Sequence, residues 1–187
     1  TGRQLARSAK RPRIIVASSD DAEGPRYLTL PVETRLPFSL DAHKPFSSDE
    51  HGGYFHFLDT VIHIHLPGDF SLKNAIAAAT LAQALPAGRP GSANISVETI
   101  ASALGKIQTI PGRAERIDAG QAFTVVVDYA HTPDSLTALY DAYYHTRKIC
   151  LPGSTGGGRG AGKRPGKCGL TAPPPAPVTL SMKEPST

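Results

Sequence analysis

Hydrophobic and polar positions change their period along the chain, and each change marks an element. Arg13-Ile14-Ile15-Val16-Ala17 is a β-branched run that predicts a strand. Asp20 to Pro25 breaks it, and residues 26–50 mix Pro with short apolar runs, so strands and loops without a helix are expected there. From Tyr54 the pattern alternates, Tyr54, His56 and Leu58 against Phe55, Phe57 and Asp59, and Val61 to Leu66 continues it. This predicts two strands, as a hairpin, ending at Pro67-Gly68.

A helical period follows. Ser71 to Leu85 is Ala-rich without Gly or Pro, which favours a helix. Ser96 can cap a second helix in which Val97, Ile100, Ala101 and Leu104 share one face and Gly105 provides a stop. Phe123 to Val127 has no polar alternation beyond Thr124, so it reads as a strand buried on both faces. Thr132 can cap the next helix, with Pro133 in its first position, Asp134 in its first turn and an apolar stripe of Leu136, Leu139, Tyr140 and Tyr143. Lys148-Ile149-Cys150-Leu151 reads as a second short strand. Strand, helix, strand in this space is the signature of a parallel βαβ unit, so the fold class expected is α/β. Beyond residue 165 the periodicity ends in the run Ala172 to Pro177, and 166–187 is expected to be a disordered, Pro-rich tail.

Composition narrows the function classes. The 187 residues suffice for one ordinary domain or parts of two. The formal charge of +4 fits modest affinity for phosphates. Lys and Arg are scattered, apart from Arg3–Arg13 and Arg159–Lys167, so no nucleic-acid face is indicated. Cys150 and Cys168 stand alone with no secretory apolar run before them, which favours a reduced, cytoplasmic setting. No stretch approaches the roughly 20 apolar residues of a membrane-spanning helix; neither nucleic acid nor membrane is an expected partner.

Candidate chemistry clusters after residue 110. Asp128 ends the apolar strand, where open α/β sheets bind ligands, and can accept hydrogen bonds from a ribose diol or serve as a capping or turn aspartate. His131 precedes a helix N-terminus, as a phosphate contact or a turn residue. Gly157, Gly162 and Lys163 match the phosphate-loop spacing, but Arg164 and Pro165 stand where Ser or Thr and a helix should follow. A loop laying backbone N–H groups and Arg159 or Lys163 beside an anion, or a glycine linker, fits better. His63 and His65 share a strand face near His51 and His56, but no Cys or carboxylate cluster completes a metal site, so none is expected.

Four segments together resemble the Mur ligase family, which joins an amino acid to a nucleotide-linked muramoyl peptide using ATP; the likeness is greatest to the member that adds the third residue of the peptidoglycan stem. They are Leu66 to Ala75, Ile110 to Arg116, Val127 to Asp134, and Gly153 to Arg159 with Lys163-Arg164-Pro165. The resemblance implies that Asn74 lies by the adenine, Arg113 reaches the phosphates and Asp128 holds the ribose, with His131 in the same ATP-binding motif. It implies that Arg159, Lys163 and Arg164 belong to a loop near the incoming amino acid. Ser71 stands where the family has a first Asn, and Gly160 where an Asp usually follows the loop arginine.

On this resemblance residues 1–110 are expected to be part of the central domain, and 111–165 the start of the C-terminal domain, an incomplete Rossmann-like βαβ unit. The implied reaction is ATP-dependent, Mg2+-assisted ligation through an acyl phosphate, with a UDP-muramoyl peptide and an amino acid as partners. The family's phosphate loop and its Asn-Pro-Arg motif do not occur in the sequence, so the chain is expected to be an inactive fragment. The alternative is a non-catalytic remnant that binds a nucleotide or a protein.

Overall fold

The computed structural model describes residues 4, 7–85 and 95–144. The expected strand at 148–151, the loop with Arg159, Lys163 and Arg164, and the tail from 166 lie outside the described residues.

The β-branched run forms strand β1 (Ile14–Ser18), paired in parallel with β2 (Thr34–Phe38) in the register Ile14↔Thr34 to Ser18↔Phe38. Helix α1 (Gly24–Leu28) connects them, and a 3-10 turn spans Asp41–His43. Both correct the expectation of a helix-free stretch. Each is one turn or so long, too short to show an apolar period. Pro25 in the first turn of α1 supplies the φ a helix needs and gives up only a donor that would lack an intrahelical partner.

An ion pair fixes the start of this unit. Arg13 donates from its backbone N, Nε and Nη2 to the Glu33 carboxylate at 3.0, 2.9 and 2.8 Å, and Arg11 Nε adds a contact at 2.8 Å. Hydrogen bonds from Arg13 hold the Glu33 carboxyl down from 4.5 to about 2.

The alternating stretch forms the predicted hairpin. Strand β4 (Gly53–Phe57) pairs antiparallel with β5 (Thr60–Ile64), and β3 (Ser47–Ser48) adds an edge to β4. Opposite pairing of Phe55 with Ile62 brings the two apolar sets onto one face. There Phe55, Phe57, Ile62 and Ile64 are buried, while His63 and His65 on the other face are exposed.

Helix α2 (Gly68–Ala84) lies against that face and buries Leu72, Ala75, Ile76 and Ala79. It begins three residues before the expected start, because Gly68 itself enters the helix with φ +77° and the extended Pro67 precedes it. Helix α3 (Val97–Gly105) packs on β5 through Ile100, with Val97, Ala101 and Leu104 half-buried beside it, and Ser96 Oγ accepts from Thr99 N at 3.2 Å as the expected cap.

The last described unit departs from expectation. Strand β6 (Glu115–Ile117) pairs antiparallel with β7 (Val125–Val127), and helix α4 (Pro133–Ala142) follows, capped at Thr132. The apolar run was expected to be buried on both faces, yet Phe123 is 68% and Val127 46% exposed. The β-branched residues set the extended conformation; burial on two faces requires covering layers, and the described residues after β7 supply only α4. Helix α4 packs on α2, where a Cβ added to Gly68 would come within 2.6 Å of the Ala142 side chain.

Two outcomes are expected. Phe55→Ala removes a fully buried ring and lowers stability by roughly 3–5 kcal/mol, seen as a fall in the urea midpoint; an unchanged midpoint would mean that the hairpin face is not the core. The Glu33 contribution is present above pH 4.5 and lost as pH falls toward 2, because its folded value is the depressed one. The difference in thermal midpoint between wild type and Glu33→Gln should therefore shrink across that window, and a difference that stays constant would refute the ion pair.

Candidate functional site

The segment from Ile110 to Thr132 is built around two turns and one carboxylate. Arg113 N donates to Ile110 O at 3.0 Å, with Pro111 and Gly112 between them. Pro fixes the first central φ, and Gly112 at φ +69° takes the second, the requirements of a type II turn. A Cβ at Gly112 would meet nothing within 4 Å, so the backbone conformation alone selects glycine. Gly112 N then donates to Glu115 Oε2 at 2.7 Å.

Ala114 follows with φ +45°, a conformation that costs an L-residue energy, and it is 6% exposed. The register Glu115↔Val127 puts Ala114 opposite Asp128, one step beyond the ladder. Asp128 Oδ2 accepts from Ala114 N at 2.6 Å, and Oδ1 accepts from Ala130 N at 2.6 Å. One carboxylate thus ties the turn segment at Arg113–Ala114 to the loop that enters α4. Bonds to an ionised acceptor are the stronger class of hydrogen bond, and they hold Ala114 in its unfavourable region.

Three side chains gather on this frame. The Arg113 guanidinium carbon lies 5.3 Å from the centroid of the Tyr129 ring, over its face. The His131 ring meets Tyr129 in a T-shaped arrangement, 5.0 Å between centroids and 67° between planes. His131 Nδ1 lies 3.0 Å from Tyr129 O. A carbonyl can only accept, so Nδ1 carries the proton and Nε2 is left as an acceptor on the neutral ring. Arg113, Tyr129 and His131 are all exposed, and Thr132 and Ser135 close a reciprocal capping box immediately after.

Arg113, Asp128 and His131 are therefore neighbours. Asn74 is exposed on α2, and its side chain makes no hydrogen bond to them. Tyr129 lies inside the Val127 to Asp134 segment, and the resemblance implies no role for it; the signal that could mark it is an aromatic residue at a strand end, between a carboxylate and an imidazole. A cleft of about 170 Å³ opens nearby, lined by Glu50, His51, His65, Gln108, Ala114 and Arg116, with neither Arg113, Asp128 nor His131 in its wall. Arg116 Nη1 lies 3.1 Å from His51 Nδ1. Tyr143 is buried, and burial raises its phenol above the ordinary value, opposed by Arg116 and aided by Glu50 and Asp128. Among the described residues no group of three His, Cys, Asp or Glu could hold a metal, and no helix is long and apolar enough to cross a membrane.

The architecture, a mixed α/β arrangement of small sheets and helices, matches solved Mur ligases. Crystal structure I of MurF from Acinetobacter baumannii aligns with a TM-score of 0.60 at 17% identity, over 76% of this chain and 31% of that one. No protein-family model matches the chain. Among curated proteins, the UDP-N-acetylmuramoyl-L-alanyl-D-glutamate–2,6-diaminopimelate ligase of Listeria innocua is 31% identical over 165 residues, 82% of this chain and 32% of the relative. The same-named ligase of Geobacillus kaustophilus is 40% identical over 102 residues, 54% of this chain and 19% of its own. The UDP-N-acetylmuramyl-tripeptide synthetase of Roseiflexus sp. is 33% identical over 142 residues, 70% and 26%. By these matches the chain belongs to the Mur ligase family, and it spans about a fifth to a third of the length of these curated relatives.

Asp128→Ala should release both amides that its carboxylate holds. Hydrogen exchange at Ala114 and Ala130 is expected to accelerate on the order of ten- to a hundred-fold, while Ala79 in the core keeps its rate. Unchanged exchange at Ala114 would show that something else holds its backbone.

Proposed function

We propose that this chain forms one wall of the ATP site of a ligase that adds an amino acid to a UDP-muramoyl peptide. The observation that carries the reading is the convergence of Arg113, Asp128 and His131 where the turn at Ile110–Arg113 meets the end of β7. The names of the relatives, which include a UDP-muramoyl dipeptide and 2,6-diaminopimelate, support the substrate class.

The residues suit a nucleotide. Each Asp128 oxygen spends one lone pair on an amide and keeps another for a ribose hydroxyl. Arg113 is exposed and carries a planar donor fork that can take phosphate oxygens. His131 Nε2 can accept from a hydroxyl or, once protonated, donate to a phosphate. Asn74 is assigned to the adenine, and Arg159, Lys163 and Arg164 to a loop near the amino acid and the phosphates. ATP supplies the phosphoryl group that activates a carboxylate as an acyl phosphate for attack by an amine. Mg2+ would arrive with the phosphates, since it binds through few protein carboxylates and keeps several waters. The work left to this chain is orientation and charge stabilisation. Residues 1–110 and 111–165 are proposed to belong to the central and C-terminal domains.

Binding without turnover is the expected behaviour of the 187-residue chain, because the family's phosphate loop, which would cradle the phosphates and hold magnesium, does not occur in its sequence. Hydrogen bonds to charged groups contribute roughly 1.5–3 kcal/mol each, and two or three, less ordering costs, give ATP affinity on the order of millimolar. Calorimetric titration with ATP and magnesium should show this, and Arg113→Ala should weaken it by about ten-fold. A folded chain that releases no heat, or binds equally well without Arg113, would sink the proposal.

A further inference from the structure

We propose that Tyr129 is a positioning residue: its ring is a perch that holds the Arg113 guanidinium facing outward before any anion arrives. This rests on the ATP reading only for the identity of that anion.

Tyr129 is 62% exposed, so burial does not explain an aromatic side chain there. Two side chains engage the ring instead, Arg113 over its face at 5.3 Å and His131 in a T-shaped contact with centroids 5.0 Å apart. The two partners come from different turns, and the same carboxylate fixes both. Asp128 bonds Ala114, the neighbour of Arg113, and Ala130, which lies between Tyr129 and His131. The left-handed Ala114 belongs to the same geometry.

A guanidinium that covers an aromatic face keeps its edge N–H donors available. An unattached arginine would lose rotamer freedom on binding; one already seated loses less, and the saving appears as affinity. His131 shares the ring without competing for the arginine, since its Nδ1 is engaged with the Tyr129 carbonyl. The hydroxyl of Tyr129 has no part in this, so Phe should serve equally well and an aliphatic residue should not.

Nuclear magnetic resonance of the full chain without ligand tests the perch. Ring-current shifts should displace the Arg113 Cδ and Nε proton signals from their free-arginine positions. The displacement should survive in Tyr129→Phe and vanish in Tyr129→Leu. Free-arginine positions in the wild type would overturn the proposal whether or not ATP binds. Titrations then follow with ATP and with adenosine. Tyr129→Leu should weaken ATP by about two- to five-fold and leave adenosine unchanged, with no further loss in an Arg113→Ala background. An equal loss for adenosine would make Tyr129 a direct ligand of the base and overturn the perch. Displaced signals in a chain that binds no ATP would uphold the perch and bring down the ATP reading alone.

Discussion

Burial of one helix stripe against one hairpin face holds the described molecule together. Leu72, Ala75, Ile76 and Ala79 of α2 meet Phe55, Phe57, Ile62 and Ile64 of β4 and β5. Half the helix contribution is alanine. Small side chains let the helix axis approach the sheet closely, and the large residues of the hairpin fill the space. The other elements are arranged around this contact. Strands β1 and β2 lie along α2, and α3 closes over β5 through Ile100.

The candidate site inherits its position from the same helix. Gly68 begins α2, and the absence of a side chain there allows Ala142 near the end of α4 to come close. Tyr143 follows Ala142 and is buried. Helix α4 is thereby anchored at its far end, and its near end, at Thr132, is held by the capping box. Between that cap and β7 only Asp128 to His131 remain to be ordered, and the carboxylate of Asp128 does it. A chain of local constraints thus runs from the core to an exposed surface that has little burial of its own.

Much of this was legible in the sequence where period and caps speak locally. The hairpin, the body of the Ala-rich helix, the helix after Ser96 and the caps at Ser96 and Thr132 stand where residue pattern puts them. What was not legible depended on partners distant in sequence. Val125 to Val127 announce extended structure, but nothing in them says that Glu115 to Ile117 will pair with them, or that one face will stay exposed. Helix α1 was missed because five residues carry no period. The Arg13–Glu33 pair joins residues 20 apart, a relation that composition does not encode. At the candidate site the motif supplied Arg113, Asp128 and His131, whereas the part of Tyr129 emerged only from its two ring contacts.

Asp128 illustrates why a motif reading and a structural reading need not compete. From sequence alone it was either a ribose acceptor or a turn aspartate, and the geometry is that of a turn aspartate, with both oxygens engaged at 2.6 Å. A carboxylate offers about four acceptor positions, and two backbone amides take two of them. The amides draw the carboxylate into a fixed plane, and the two remaining lone pairs are then fixed as well. A diol meeting such a group has less to order than one meeting a free side chain. The turn role would therefore be the physical condition for a ribose role, and the same carboxylate that holds Ala114 in a left-handed conformation sets the direction from which Arg113 approaches the Tyr129 ring.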